Sequence, residues 1–230
     1  MEKIRVVELI DFRNKSDKRK KSFAFKLKNR EAKIKTETKE TGGGNYWVTS
    51  TSCIYNVFKY EKKELYDVKT EELFSKYNDS EDRRIKSMYQ RNIDILNSFI
   101  DFDLENLKPN SEIKYEKIPK SYKVFRINEL PIYVNPSVIY TFEEKGISMI
   151  GALWLVPKLY GFKKSELGMF CEILYSFLVR NYSDNYQISE EFSIVVDTFN
   201  AQEINYKELK EGEIPFLVNK TIDEINSFFR

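Results

Sequence analysis

Histidine does not occur anywhere in the 230 residues. Its absence removes the usual general base of neutral pH, the Ser-His and Cys-His nucleophile pairs and the common imidazole ligand of zinc. Cysteine is nearly missing as well. Cys53 and Cys171 are the only two, one in a strand-like segment and one on the apolar face of a helical pattern. Neither a CxxC metal site nor a disulfide framework is indicated, and both read as packed thiols. Long apolar runs are lacking too. Met149–Val156 is far too short to span a bilayer, and Met1-Glu-Lys-Ile-Arg5 is not the apolar stretch of a secretory signal. The expectation is a cytoplasmic protein without a membrane partner.

What is present favours an ordered, soluble chain. Hydrophobic residues make up 41%, and 17 Phe, 15 Tyr and 2 Trp can bury a large apolar area. The length suits one large domain or a core with an added subdomain. Charge is nearly balanced overall, 38 Lys+Arg against 36 Asp+Glu, but not locally. Residues 11–40 hold 12 Lys+Arg and 5 Asp+Glu, an excess of +7 that leaves −5 on the remainder. A basic surface attracts polyphosphate and releases counterions on binding. Phe23, Phe25 and Leu27, then Ala32 and Ile34, alternate with polar residues, which predicts a hairpin turning near Asn29 to Glu31. Lys18, Arg19, Lys20, Lys21, Lys26, Lys28, Arg30, Lys33 and Lys35 are its candidate nucleic-acid contacts. A solvated lysine face is the competing reading.

The glycines of Thr41-Gly-Gly-Gly-Asn45 lead into β-branched and aromatic residues that predict a strand, so a flexible turn is favoured over a phosphate-binding loop, which needs Gly-Lys-Ser/Thr and a helix start. Tyr46 and Trp47 offer faces for stacking bases, but an aromatic strand more often belongs to a core. From Asp79 or Ser80 to about Asp101 the apolar residues recur at three- and four-residue steps, predicting a helix of about six turns after a shorter one near Thr70–Tyr77. Asp101–Glu105 and Pro109-Asn-Ser111 mark the best internal boundary. It divides the chain into 1–108, a β-hairpin and helix portion, and 109–230, an α/β portion.

In the second portion the predicted order is strand Tyr122–Arg126, strand Ile132–Phe142, a turn at Glu143–Gly146, strand Ser148–Pro157, helix Lys163–Asn181 with Ser165 placed to cap it, strand Phe192–Phe199, a short segment near Glu203–Tyr206 and a closing helix Ile222–Phe229. The fold class is therefore α+β or α/β, a mixed sheet core with helices.

This order over roughly residues 120–200 resembles the core of the restriction-endonuclease-like, or PD-(D/E)XK nuclease, superfamily. Members carry Pro-Asp on one hairpin strand and acidic-x-Lys on the next, followed by a helix and a strand. Here Pro136-Ser137 matches the first element and Val156-Pro157-Lys158 the second. The resemblance implies Mg²⁺, which needs hard oxygen ligands, yet serine and valine stand at the two acidic positions and only Lys158 remains. Glu166, Glu172 and Asp197 are the carboxylates to which a metal site could have migrated. Glu166 also suits the positive end of a helix, and Asp197 a turn.

Three functions follow. The first is a catalytically silent nuclease-like protein that binds DNA, RNA or a nucleoprotein partner through the basic hairpin, with no cofactor. The second is a protein-binding module, an inhibitor or small subunit of a larger assembly, using Tyr46, Trp47, Tyr160 and Phe162. The third is a divergent Mg²⁺-dependent nuclease using Lys158 with Glu166, Glu172 or Asp197, which requires at least two acidic groups converging near that lysine.

Overall fold

The computed structural model describes residues 2–31 and 46–229. In chain order the elements are β1 (Ile4–Arg5), α1 (Val6–Arg13), α2 (Asp17–Lys28), α3 (Val48–Tyr60), α4 (Glu64–Asp79), α5 (Arg83–Ile100), β2 (Lys114–Glu116), β3 (Val124–Ile127), β4 (Leu130–Tyr133), β5 (Val138–Glu144), β6 (Ile147–Val156), α6 (Lys164–Tyr182), β7 (Gln187–Asp197), β8 (Gln202–Asn205), α7 (Tyr206–Lys210) and α8 (Val218–Ser227). Short 3₁₀ turns at Glu105–Leu107 and Lys120–Lys123 flank β2. This is an α+β fold with a mixed sheet.

The main sheet has the order β2-β5-β6-β7-β8. β5 and β6 form an antiparallel hairpin from Val138↔Leu153 to Glu144↔Ile147. Its turn residues Lys145 and Gly146 both have positive φ, 51° and 76°, the backbone hand that matches strand twist. α6 then crosses over, and β7 runs parallel to β6 from Met149↔Gln187 to Val156↔Asp197. The register shifts between Ile150 and Ala152. There the β7 backbone bulges over Gly151, where an added Cβ would lie 2.7 Å from the Phe192 carbonyl oxygen. A second, three-stranded sheet has the order β1-β4-β3.

Successive residues of a strand point to opposite faces, and this splits the core in two. Ile139, Ile150, Ala152 and Val195 meet residues of α1, α2, α6, α7 and α8. Val138, Tyr140, Leu153, Leu155, Ile194 and Val196 meet α3, α4 and α5. Both layers thus combine residues from either side of position 108, and β1 pairs in parallel with β4. Among the described residues no helix is long and apolar enough to cross a membrane.

Residues 17–28 are a helix, not the first arm of a hairpin. Ala24 and Leu27 are buried and Phe23 is half-buried. They lie one, three and four residues apart, on one helical stripe. Full burial of Leu27 contributes about 2 kcal/mol, and the stripe puts Ala24 inside and Phe25 in solvent, the reverse of what alternation requires. The proposed second arm, Ala32 and Ile34 with Lys33 and Lys35, lies outside the described residues, as does the glycine turn at 42–44.

The strand expected after Tyr46 is likewise a helix, α3, which carries Cys53. Ser50, Cys53, Ile54, Val57 and Phe58 are its buried residues, a stripe whose packing outweighs the β propensity of its Val and Thr residues. The single strand expected over Ile132–Phe142 is two strands in different sheets, broken at Val134–Ser137, where Pro136 has no N–H for a ladder. α6 begins one residue later than predicted, with Lys163 rather than Ser165 at its cap.

Candidate functional site

The end of the main sheet where β6 and β7 finish and β5 begins is where open α/β sheets receive ligands, and it is where the nuclease resemblance places its motifs. Ser137 is tied there: its Oγ accepts from Leu155 N–H at 2.9 Å. Lys158 follows β6 and lies 3.3 Å from Glu166 Oε2, with its ammonium 4.7 Å from the Phe162 ring centre.

Glu166 is held by more than that lysine. Its Oε2 also accepts Lys163 N–H at 3.1 Å, and its Oε1 accepts Asn14 Nδ2 at 3.0 Å. Burial alone would raise this carboxyl group, but Asn14, the Lys163 N–H and Lys158 outweigh it and hold it below the usual carboxylate range. Glu166 thus closes the first turn of α6 and joins it to the turn between α1 and α2.

Asp197 is fully buried. Its Oδ2 accepts Phe162 N–H at 2.8 Å and Asn200 Nδ2 at 2.9 Å, and its Oδ1 accepts Phe199 N–H at 3.0 Å. Glu172 lies elsewhere on α6, where it accepts the Leu217 and Val218 N–H groups that open α8. Burial pushes it up to about 7 against the pull of those donors and Arg13.

Of the three carboxylates, the structure brings Glu166 alone into contact with Lys158. The oxygens at this end are engaged by N–H donors, an arrangement that does not fit Mg²⁺, which prefers several converging oxygens.

The aromatic candidates divide. Phe162 is buried, stacked edge-on against Phe170, so it belongs to the core and offers no interface. Tyr46 and Trp47 are half-buried and pack edge-to-face at 4.5 Å, and Arg91 donates to the Tyr46 hydroxyl at 2.6 Å. Trp47 also packs against the α3–α5 core. Tyr160 is different. It is 80% exposed and has φ 65°, a left-handed backbone conformation uncommon for a residue with a side chain.

The described part of the basic segment is α2 and the residues up to 31. Three of its cations serve the fold: Lys20 bonds Glu224 at 2.7 Å, Arg30 bonds Glu8 at 2.6 Å and Lys28 donates to the Phe229 carbonyl at 2.7 Å. Burial would raise Glu8, but the Arg30 guanidinium and the Arg5 N–H hold it low. Lys18, Arg19, Lys21 and Lys26 are exposed, and none of them takes part in an ion pair among the described residues. In their midst Phe25 is 69% exposed. At 100° per residue, Lys18, Lys21 and Phe25 share one helical face, with Arg19 and Lys26 together along one side of it.

Phe25 was legible as an aromatic but assigned inward by the hairpin reading. Asn14, which links Glu166 to the α1–α2 turn, carried no signal in the sequence. Lys117, Lys120 and Lys123 line a groove with Lys59. They were also missed, although with Lys114 they recur every third residue.

No protein-family model, no curated protein and no solved structure matches this chain.

Proposed function

We propose that this chain binds nucleic acid through the outer face of α2, on a nuclease-like scaffold that acts by recognition and not by hydrolysis. The observation that carries this reading is Phe25, 69% exposed among Lys18, Arg19, Lys21 and Lys26. Burying an aromatic ring is worth more than leaving it in water, so a ring held outward among cations is suited to a partner that has both phosphates and flat bases. Ammonium and guanidinium groups contact phosphate, and the ring stacks on a base. The order β5, β6, α6, β7 supports the nuclease-like scaffold. The commitment of Ser137, Glu166 and Asp197 to internal hydrogen bonds supports binding in place of cleavage.

Fluorescence anisotropy with labelled single-stranded and duplex DNA and RNA tests the reading. The variant K18E/R19E/K21E/K26E is expected to lose at least 100-fold in affinity at about 100 mM salt, with its thermal melt unchanged because all four side chains are exposed. Equal affinity of the variant and the native chain would refute it. Retained binding after that reversal, together with a stoichiometric protein partner recovered on purification, would favour the protein-binding alternative.

A further inference from the structure

A second basic surface lies at the end of the main sheet, on elements other than α2. A groove of about 600 Å³ runs between the C-terminal part of α3, the end of β2, the Lys120–Lys123 turn and the start of β5. Lys59, Lys117, Lys120 and Lys123 line it together with Tyr55 and Tyr115, and Glu116 is the one carboxylate in its wall.

None of the four lysines forms an ion pair among the described residues. Lys123 donates instead to the neutral Asn135 side chain at 2.6 Å. The Lys59 ammonium sits 5.4 to 5.9 Å from the ring centres of Tyr55, Tyr60 and Tyr115. It is placed by aromatic faces rather than by a carboxylate.

Four like charges lining one groove repel one another, screened over about 8–10 Å, and among the described residues that line it Glu116 is the one acid. A polyanion removes that repulsion. Lysines act as rotatable point charges, without the fixed fork by which arginine selects a carboxylate, so they suit a run of phosphates whose positions vary. Tyr60, 56% exposed beside Lys59, adds a ring on which an unpaired base can stack. Bases inside a duplex present no free face to such a ring.

We infer that this lysine and tyrosine groove binds the phosphate backbone of a single nucleic-acid strand. The inference does not depend on α2, because no residue of that helix lines the groove.

The test uses the full chain with a labelled 20-nucleotide single strand, the same sequence as a duplex, and inorganic tripolyphosphate as competitor. K117E/K120E/K123E is expected to weaken single-strand binding by about tenfold or more, and K117Q/K120Q/K123Q, which removes the charges without reversing them, by a smaller factor. Both effects are to be seen in the native chain and again in the K18E/R19E/K21E/K26E background. There the further loss on adding the groove substitutions reports the groove, and tripolyphosphate should displace the strand. Unchanged affinity of both groove variants would overturn the inference while leaving the α2 reading intact. Binding of tripolyphosphate without the strand, or equal groove dependence for the duplex, would also overturn it.

Discussion

Gly161 is the residue at which the loop after β6 depends most on the absence of a side chain. Its φ is +71°, and a Cβ placed there would lie 1.8 Å from Asn200 Nδ2 and 2.3 Å from Asp197 Oδ2. Asp197 is itself fully buried and holds this loop through the Phe162 N–H, so it cannot move without giving up a buried hydrogen bond, and displacing Asn200 breaks its bond to the same carboxylate. Gly161→Ala is therefore expected to destabilise the chain by about 2–4 kcal/mol, measured from urea unfolding midpoints at constant slope. A loss under about 0.5 kcal/mol would show that the loop is not clamped in this way. Little of this was legible beforehand. The sequence placed Asp197 at a strand end and allowed a turn bond, which the Phe199 N–H supplies. The need for glycine at 161 arises from Asn200, 39 positions away, and no local pattern carries it. Tyr160 was recognised as a candidate contact from its type alone, whereas Phe162, two residues on, has the same chemical character and opposite burial.

At the level of elements, the opening of α8 rests on Glu172, whose carboxylate accepts the Leu217 and Val218 N–H groups. Its pKa is raised in the folded chain to about 7 from 4.5, chiefly by burial. The folded state therefore keeps a proton that the unfolded chain has released between those values. The associated stability is fully present below pH 4.5 and is lost as pH rises through 7, by at most roughly 3 kcal/mol. Glu172→Gln keeps an acceptor for α8 without titrating. Unfolding free energies at pH 5 and pH 8 should fall with pH in the native chain relative to this variant, and parallel behaviour would contradict the assignment. α6 and α5 were readable in the sequence because their apolar stripes are long and regular. Asp82 adds a cap to α5, accepting from Arg84 and Ile85 N–H. α2 and α3 were misread for a common reason. Alternation at Phe23, Phe25 and Leu27, and the β-branched residues from Val48 to Val57, are strand-like features of a short window. The burial that decides the outcome comes from α8 and α1 for one helix and from α5 for the other. Ser50, for example, takes its backbone partner from Asn92, 42 residues later.

Over the whole molecule, the C-terminal order of hairpin, crossover helix and parallel strand was legible because each element has its own period and the turn at Lys145-Gly146 is marked by residue type. The charge asymmetry was legible as well, but not its use. Lys20, Lys28 and Arg30 spend their charge on docking α2, and only the structure separates them from Lys18, Arg19, Lys21 and Lys26. The groove lysines come from two distant stretches of chain, residues 59 and 117–123, and converge only once α3 packs across the sheet. The proposal that α2 binds nucleic acid is tested most directly by the slope of log affinity against log salt for a single-stranded oligonucleotide. K18E/R19E/K21E/K26E should reduce its magnitude by about 3, since each phosphate contact to a single strand contributes about 0.7. An identical slope in the native chain and the variant would mean that these four cations touch no phosphate.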